Sequence, residues 1–109
     1  MLATIDTPFN VSSWTLIDTK QFPVTYIMDS SCMLRMVAEV SGACRVKFVL
    51  TPVTTGGSTT SEDNTIVFTG AGVKDCLINF PNIIVPIFKL DVYVLGNATL
   101  SHYEGWLNV

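Results

Sequence analysis

The sequence predicts an all-β fold, a single antiparallel β-sandwich of the jelly-roll kind with about eight short strands. Short runs rich in Val, Ile, Thr and aromatic residues recur along the chain, and these residue types favour strands. Gly, Pro, Ser and Asn separate the runs, as expected of turns. No stretch repeats its apolar residues with a helical period. The length of 109 residues suits one domain over positions 1–109.

Each run between two separators gives a candidate strand. The predicted strands cover 2–6, 12–18, 23–28, 33–40, 44–51, 64–69, 72–80, 83–95 with a break near Pro86, and 98–108. The longest loop, 51–65, is rich in Thr, Ser and Gly and ends in a small acidic group. It lacks the alternating acidic residues of a calcium-binding loop, so no metal site is expected there.

The segment 33–51 predicts a hairpin with a definite register. A three-residue loop, 41–43, pairs Val40 with Cys44, and the next pairs on that face are equally apolar: Ala38 with Val46, Met36 with Phe48, and Leu34 with Leu50. A two-residue loop would place Ala38 opposite Arg45 and mix charge into this face. The separation of apolar and polar faces therefore favours the three-residue loop.

The segment 82–96 is the most apolar part of the chain. Pro86, Lys89 and Asp91 interrupt it, which excludes a membrane-spanning helix. Both faces are apolar before Phe88, and a proline suits an edge strand rather than a central one. An apolar edge needs a cover. The cover is either the chain's own terminus or another subunit. If it is a subunit, the contact lies on the alternate face, with the candidate interface residues Ile83, Val85, Ile87 and Tyr93.

Composition excludes several function classes. Charged residues make up 14 % of the chain, against about 25 % in typical domains. The net charge is −3 and no basic cluster is present, so no nucleic-acid partner is expected. The N-terminal residues lack the basic and apolar regions of a signal peptide. Synthesis in the cytoplasm without a signal peptide is expected, with no membrane association.

Neither the cysteines nor the histidine indicates an active site. Cys32, Cys44 and Cys76 are odd in number and follow no metal-binding spacing, so three free thiols are expected. His102 is the only histidine, and no nucleophile and carboxylate accompany it in a recognisable pattern. We expect no catalytic residues, no metal and no cofactor, and therefore no enzyme.

Two non-enzymatic classes remain. The first is a structural or assembly protein, such as a small virion component of the head-decoration or capsid-associated kind. It would bind copies of itself, with a trimer as the favoured state, and a larger protein lattice. The low charge of this chain and its predicted apolar faces agree with an assembly protein, because partners would cover such surfaces. The alternative is a carbohydrate-binding, lectin-like sandwich whose glycan contacts would be Trp14, Tyr103, Trp106 and Asn108.

Overall fold

Two strands of 22 residues, one near each end of the chain, organise the molecule. The computed structural model describes residues 2–23, 32–53, 61–80 and 87–108. Its six strands are β1 (Leu2–Pro23), β2 (Cys32–Val40), β3 (Cys44–Val53), β4 (Glu62–Phe68), β5 (Gly72–Phe80) and β6 (Ile87–Asn108). The all-β prediction is confirmed, with six strands in the described residues rather than about eight.

The lower strand number reflects fusion of predicted neighbours. The predicted strands 2–6 and 12–18 are both parts of β1, and β6 covers most of 83–95 together with 98–108. The predicted strand 23–28 lies, apart from Pro23, outside the described residues. Both long strands therefore continue through stretches whose composition predicted turns.

All strand pairs are antiparallel, and together they form four long arms. β1 pairs with one edge of β6 along nearly its whole length. The other edge of β6 pairs with β3 along 87–96 and with β2 along 100–108. β4 pairs with β3, and β5 pairs with β2. The arms are thus β1, β6, β2 followed by β3, and β4 followed by β5.

The arms fold over at their midpoints into two layers. Phe48 pairs with Val92. Tyr103 lies eleven residues further along β6, which is more than about 30 Å in a straight strand. The ring centroids of Phe48 and Tyr103 are nevertheless 5.8 Å apart. Layer one comprises β3, β4 and the 11–23 and 87–96 halves of β1 and β6. Layer two comprises β2, β5 and the 2–10 and 97–108 halves.

The bend has a local cause in each long strand. In β6 it falls at Gly96, whose φ is +121°. In β1, Val11 is the register partner of Gly96, and the register with β6 shifts directly after it, between Val11 and Thr15. Bulges of this kind bend a strand and increase its twist. Two further shifts distort β1 away from the bend. One lies between Thr4 and Thr7 within layer two, where Asp6 has a φ of 43°, and the other lies between Leu16 and Asp18 within layer one.

The predicted hairpin 33–51 is replaced by a bend. In the described residues β2 and β3 are not ladder partners, because β5 and β6 occupy the edges of β2 while β4 and β6 occupy those of β3. Loop 41–43 carries the chain from one layer to the other. The backbone N–H of Ser41 donates to the Thr99 carbonyl at 3.0 Å, and the Thr99 N–H donates to Ser41 Oγ at 2.8 Å. These bonds keep the loop against β6.

The apolar face predicted for 33–51 is buried, although its pairing was wrong. The eight residues of that face lie between the layers: Leu34, Met36, Ala38, Val40, Cys44, Val46, Phe48 and Leu50. A three-residue spacing leaves Val40 and Cys44 on the same face whether the loop reverses the chain or bends it. β6 adds Phe88, Leu90, Val92, Val94, Leu100 and Tyr103 to this core.

A partly buried hydrogen bond from a core side chain joins the two layers. The Tyr103 hydroxyl, on layer two, donates to Asp18 Oδ2 of layer one at 2.5 Å. Burial, and then the bond to this carboxylate, raise the pKa of Tyr103 above its ordinary value. A buried hydroxyl needs such a partner. The bond therefore supplies a specific contact between the layers near the core. At the exposed edge, the Asn64 amide donates to the Leu77 carbonyl at 2.8 Å and the Lys74 ammonium group donates to the Val67 carbonyl at 3.3 Å, and these two bonds also join β4 to β5.

Stability should fall as the pH rises above about 9. Burial, followed by the charge of Asp75, raises the pKa of Cys76 to about 11, and burial also raises the pKa of Cys44. The unfolded thiols ionise near their ordinary pKa, at which the folded thiols still hold their protons, so alkaline pH favours the unfolded state. Urea unfolding midpoints across this range should decline for the wild type and less for Cys76→Ala. Equal declines would contradict the role of Cys76.

Candidate binding surface

The outer face of layer one carries an aromatic patch. Pairing places Leu16, Tyr93, Lys47 and Thr65 in one row across β1, β6, β3 and β4. Cross-strand partners point to the same side of a sheet. Tyr93, Lys47 and Leu16 therefore share the surface that faces away from the core, where the Leu16 side chain is 49 % exposed.

Trp14 joins this row through Lys47. The Lys47 ammonium nitrogen lies 4.5 Å from the ring centroid of Trp14 and 5.2 Å from that of Tyr93. An ammonium group over a ring face is attracted by the ring quadrupole. The bulge in β1 between Val11 and Thr15 brings Trp14 within this range. Lys47 thus holds two aromatic rings from different strands in one surface.

The neighbouring row extends the same surface. Leu95, Arg45 and Val67 are register partners across β6, β3 and β4, and Val67 is 51 % exposed. We call the six residues of this surface the platform: Trp14, Leu16, Arg45, Lys47, Val67 and Tyr93. Toward the far end of the layer the face becomes polar, with Asp91 accepting a hydrogen bond from Thr19 and lying 3.6 Å from the Lys89 nitrogen.

Layer two carries a second exposed surface. Leu77, Arg35 and Trp106 form one row across β5, β2 and β6. The Arg35 guanidinium carbon lies 5.5 Å from the Trp106 ring centroid, and Arg35 Nε bonds to Asp75 at 3.0 Å. Trp106 and Leu77 are 47 % and 46 % exposed. We call this set the opposite surface: Arg35, Glu39, Asp75, Leu77, Glu104 and Trp106.

The structure separates the predicted glycan contacts. Trp14 lies on layer one and Trp106 on layer two, and the outer faces of the layers point away from each other. Tyr103 is fully buried, so it belongs to the core and is not available to a surface ligand; its inward position follows from its pairing with Ala38. Asn108 is the last residue of β6. These four residues do not form one site.

The predicted subunit contact lies largely outside the described residues. Ile83 and Val85 are not among them, and Ile87 is the first residue of β6. Tyr93 is on the platform, beside Trp14. Sequence reasoning missed Leu16, Lys47, Arg45 and Arg35. Their alternation with buried neighbours marks them as outward-facing, but only the strand order shows which aromatic residues they meet.

His102 lies between two carboxylates on layer two. Its Nδ1 is 3.1 Å from Glu39 Oε2, and its Nε2 is 3.9 Å from Glu104 Oε1. All three side chains are partly exposed, and exposed ion pairs contribute little to stability. Within 2–23, 32–53, 61–80 and 87–108, no group of three or more His, Cys, Asp and Glu residues could hold a metal ion.

Replacing His102 by alanine should change the free energy of unfolding by no more than about 0.5 kcal/mol. The reason is that its two contacts are partly solvated and no other group depends on its ring. Urea unfolding monitored by circular dichroism measures the difference. A loss above about 1.5 kcal/mol would show that the Glu39–His102–Glu104 cluster is a structural element of layer two.

Two open depressions lie near the bend. One, of about 520 Å³, is lined by Pro8, Phe9, Asn10, Ser41, Asn97, Ala98 and Thr99. The other, of about 370 Å³, is lined by Ala43, Cys44, Arg45, Val67, Phe68, Leu95 and Gly96 and adjoins the platform. In the described part of the chain, no helix is long and apolar enough to cross a membrane.

Comparison with known proteins supports the fold and does not show a family. No protein-family model matches the chain, and no curated protein matches it. A solved structure described as "Family 16 Carbohydrate Binding Module-2" is similar, with a TM-score of 0.50 and 13 % sequence identity. The match covers 94 % of this chain and 74 % of that one. At this identity the likeness concerns the β-sandwich fold alone.

Proposed function

We propose that this chain is a non-enzymatic assembly protein, a small virion component of the head-decoration or capsid-associated kind, that binds protein surfaces. The observation that carries the proposal is the large aliphatic side chains exposed on both outer faces: Leu16 and Val67 on layer one, and Val73 and Leu77 on layer two. Leu16 lies in the register row of Lys47, which contacts Trp14, and Leu77 lies in the register row of Trp106. Contiguous exposed apolar surface is typical of protein interfaces.

The chemistry of the two faces favours a protein partner over a sugar. Interfaces between proteins are enriched in Trp, Tyr and Arg, and their buried centre is more apolar than the rest of the protein surface. The platform has this mixture in Trp14, Tyr93, Arg45 and Leu16. A sugar ligand would use the aromatic rings and hydrogen-bonding groups, but it would leave Leu16 and Val67 without a role. The low charge of the chain, 14 % of residues, also agrees with a surface that partners cover.

The proposal includes self-association and binding to a larger lattice. The trimer and the contact through Ile83, Val85 and Ile87 remain predictions, since the first two residues lie outside the described ranges. Tyr93 supports a protein contact by its position on the platform.

The test asks whether the chain co-purifies with particles. Particles from cells that produce the protein are banded on a density gradient, and mass spectrometry locates the chain in the fractions. We expect it to band with the particles at a fixed ratio to their major protein. We expect Leu16→Glu to reduce this fraction strongly. Gln21→Glu, on the same strand but in the polar end of the face, should not reduce it. Wild-type chain that remains only in the soluble fractions would contradict the proposal.

Carbohydrate binding is the second candidate, because Trp14 and Tyr93 form an exposed aromatic pair and a carbohydrate-binding module shares the fold. Its test uses Trp106→Phe, in which Trp14 is the only tryptophan. This variant is titrated with soluble glucans, mannans and galactans while the fluorescence of Trp14 is followed. The assembly proposal predicts no saturable change. A saturable change that Tyr93→Ala removes would replace it with the carbohydrate function.

A further inference from the structure

The platform carries positive charge. Arg45 and Lys47 are its two cations, and the register rows that contain them hold no carboxylate among the described residues: Leu95, Arg45 and Val67 in one row, and Leu16, Tyr93, Lys47 and Thr65 in the other. Arg45 is exposed, and the Lys47 ammonium group is held over Trp14 and Tyr93. The platform is therefore an apolar surface with two added positive charges.

The opposite surface carries negative charge. Its carboxylates are Glu39, Asp75 and Glu104, against one permanent cation, Arg35, which is already paired with Asp75. The surface also presents Trp106 and Leu77. Its apolar residues thus match those of the platform in kind, while its charge is of the opposite sign.

We infer that the platform of one copy binds the opposite surface of a second copy, head to tail; the inference rests on the proposed function, in that the platform is taken to bind protein. Arg45 and Lys47 would face Glu39, Asp75 and Glu104, while Trp14 and Leu16 would pack against Trp106 and Leu77. Opposite charges across an interface fix its orientation and speed its formation.

Charge also excludes the symmetric alternatives. Two platforms packed on each other would bring Arg45 and Lys47 of both copies together, and two opposite surfaces would bring their carboxylates together. Like charges at an interface are costly. A head-to-tail contact avoids both. Because such a contact uses different surfaces on the two copies, it closes into a ring or continues as a stack.

The experiment uses two variants that each disable one surface, in the full-length chain. Leu16→Glu places a carboxylate on the platform, and Leu77→Glu places one on the opposite surface. Both side chains are about half exposed, so folding should be retained, and circular dichroism with thermal melting checks this. The matched controls are Gln21→Glu on β1 and Asn79→Glu on β5, both exposed positions. Light scattering after size-exclusion chromatography gives the masses.

We expect the wild type and both controls to form oligomers, and each single variant alone to be a monomer. Mixing Leu16→Glu with Leu77→Glu should give a 1:1 dimer, because one copy retains the platform and the other retains the opposite surface. The double variant, which carries both Leu16→Glu and Leu77→Glu, has neither surface intact and should stay monomeric at every concentration. Raising the salt from about 50 to about 500 mM should weaken wild-type association at least about tenfold, since salt screens the charges.

Three results would overturn the inference: a monomeric wild type at all accessible concentrations, a single variant that still dimerises, or a mixture that remains monomeric. The density-gradient experiment described under the proposed function distinguishes failure of the head-to-tail inference from failure of the proposed function. A monomeric chain that bands with particles and is released by Leu16→Glu uses its platform on the lattice instead. A head-to-tail oligomer that never bands with particles would sustain the inference and contradict the virion role.

Discussion

Replacing Phe48 by alanine should reduce the free energy of unfolding by about 3–5 kcal/mol, the usual cost of removing a fully buried phenylalanine ring. Phe48 is completely buried on β3, and its ring meets that of Tyr103 across the core. Small domains are stable by only about 5–15 kcal/mol. The variant should therefore lose a large share of its stability. Urea unfolding followed by near-ultraviolet circular dichroism measures the loss.

The smaller change Phe48→Leu is the control. Leucine leaves a smaller cavity than alanine, so its expected cost is clearly lower than that of Phe48→Ala. The contrast between the two variants tests whether the layers pack against each other at this point. A loss below about 1.5 kcal/mol for Phe48→Ala would mean that the ring is not enclosed between the layers and that the folded-over arrangement is wrong.

The segment 33–51 shows how far a single sequence specifies this fold. Alternation identified the buried face correctly, because side-chain direction is a local property of an extended chain. It did not identify the partners of β2 and β3. Loop 41–43 fits a hairpin and a bend equally well, and the choice depends on β6, which lies some 50 residues away in sequence and provides an edge long enough for both strands.

The region between residues 6 and 12 gives the converse case. Its composition predicted a break, and the structure instead has a regularly paired continuation of β1 between two bulges, with Phe9 buried in the core. A bulge and a turn draw on similar residues, and pairing with β6 decides between them. Strand ends are therefore less predictable than strand interiors in a sheet whose arms bend without ending.

The sequence predicted only the aromatic residues of the candidate surface, and it did not predict how they are grouped. Trp14 and Trp106 were predicted as glycan contacts, and Tyr93 was predicted as an interface residue. Trp14 reaches Lys47 only because β1 is bulged between Val11 and Thr15, and no local pattern in the sequence encodes that shift. The separation of Trp14 from Trp106 likewise follows from the bend, which places one on each layer.

Gly96 is the residue at which β6 bends, and Gly96→Ala should be strongly destabilising. A φ of +121° is disfavoured for any residue with a side chain, at a cost of about 1–3 kcal/mol. An added Cβ would also lie 3.2 Å from both Cα and Cβ of Cys44, its register partner on β3. Cα is a backbone atom and cannot move without disturbing the ladder. The total loss should therefore reach or exceed the upper end of that range, as measured by urea unfolding.

Variants at two other glycines distinguish backbone strain from the steric clash with Cys44. Gly72 has a φ of +154° but open space around its Cα, so Gly72→Ala tests backbone strain without a clash. Gly70 has open space and no such restriction, so Gly70→Ala should stay within about 0.5 kcal/mol of the wild type. The expected order of destabilisation is Gly96, then Gly72, then Gly70. If Gly96→Ala were as stable as Gly70→Ala, β6 would not need its sharp bend at this residue. The placement of the platform and the opposite surface on separate layers would then not depend on Gly96.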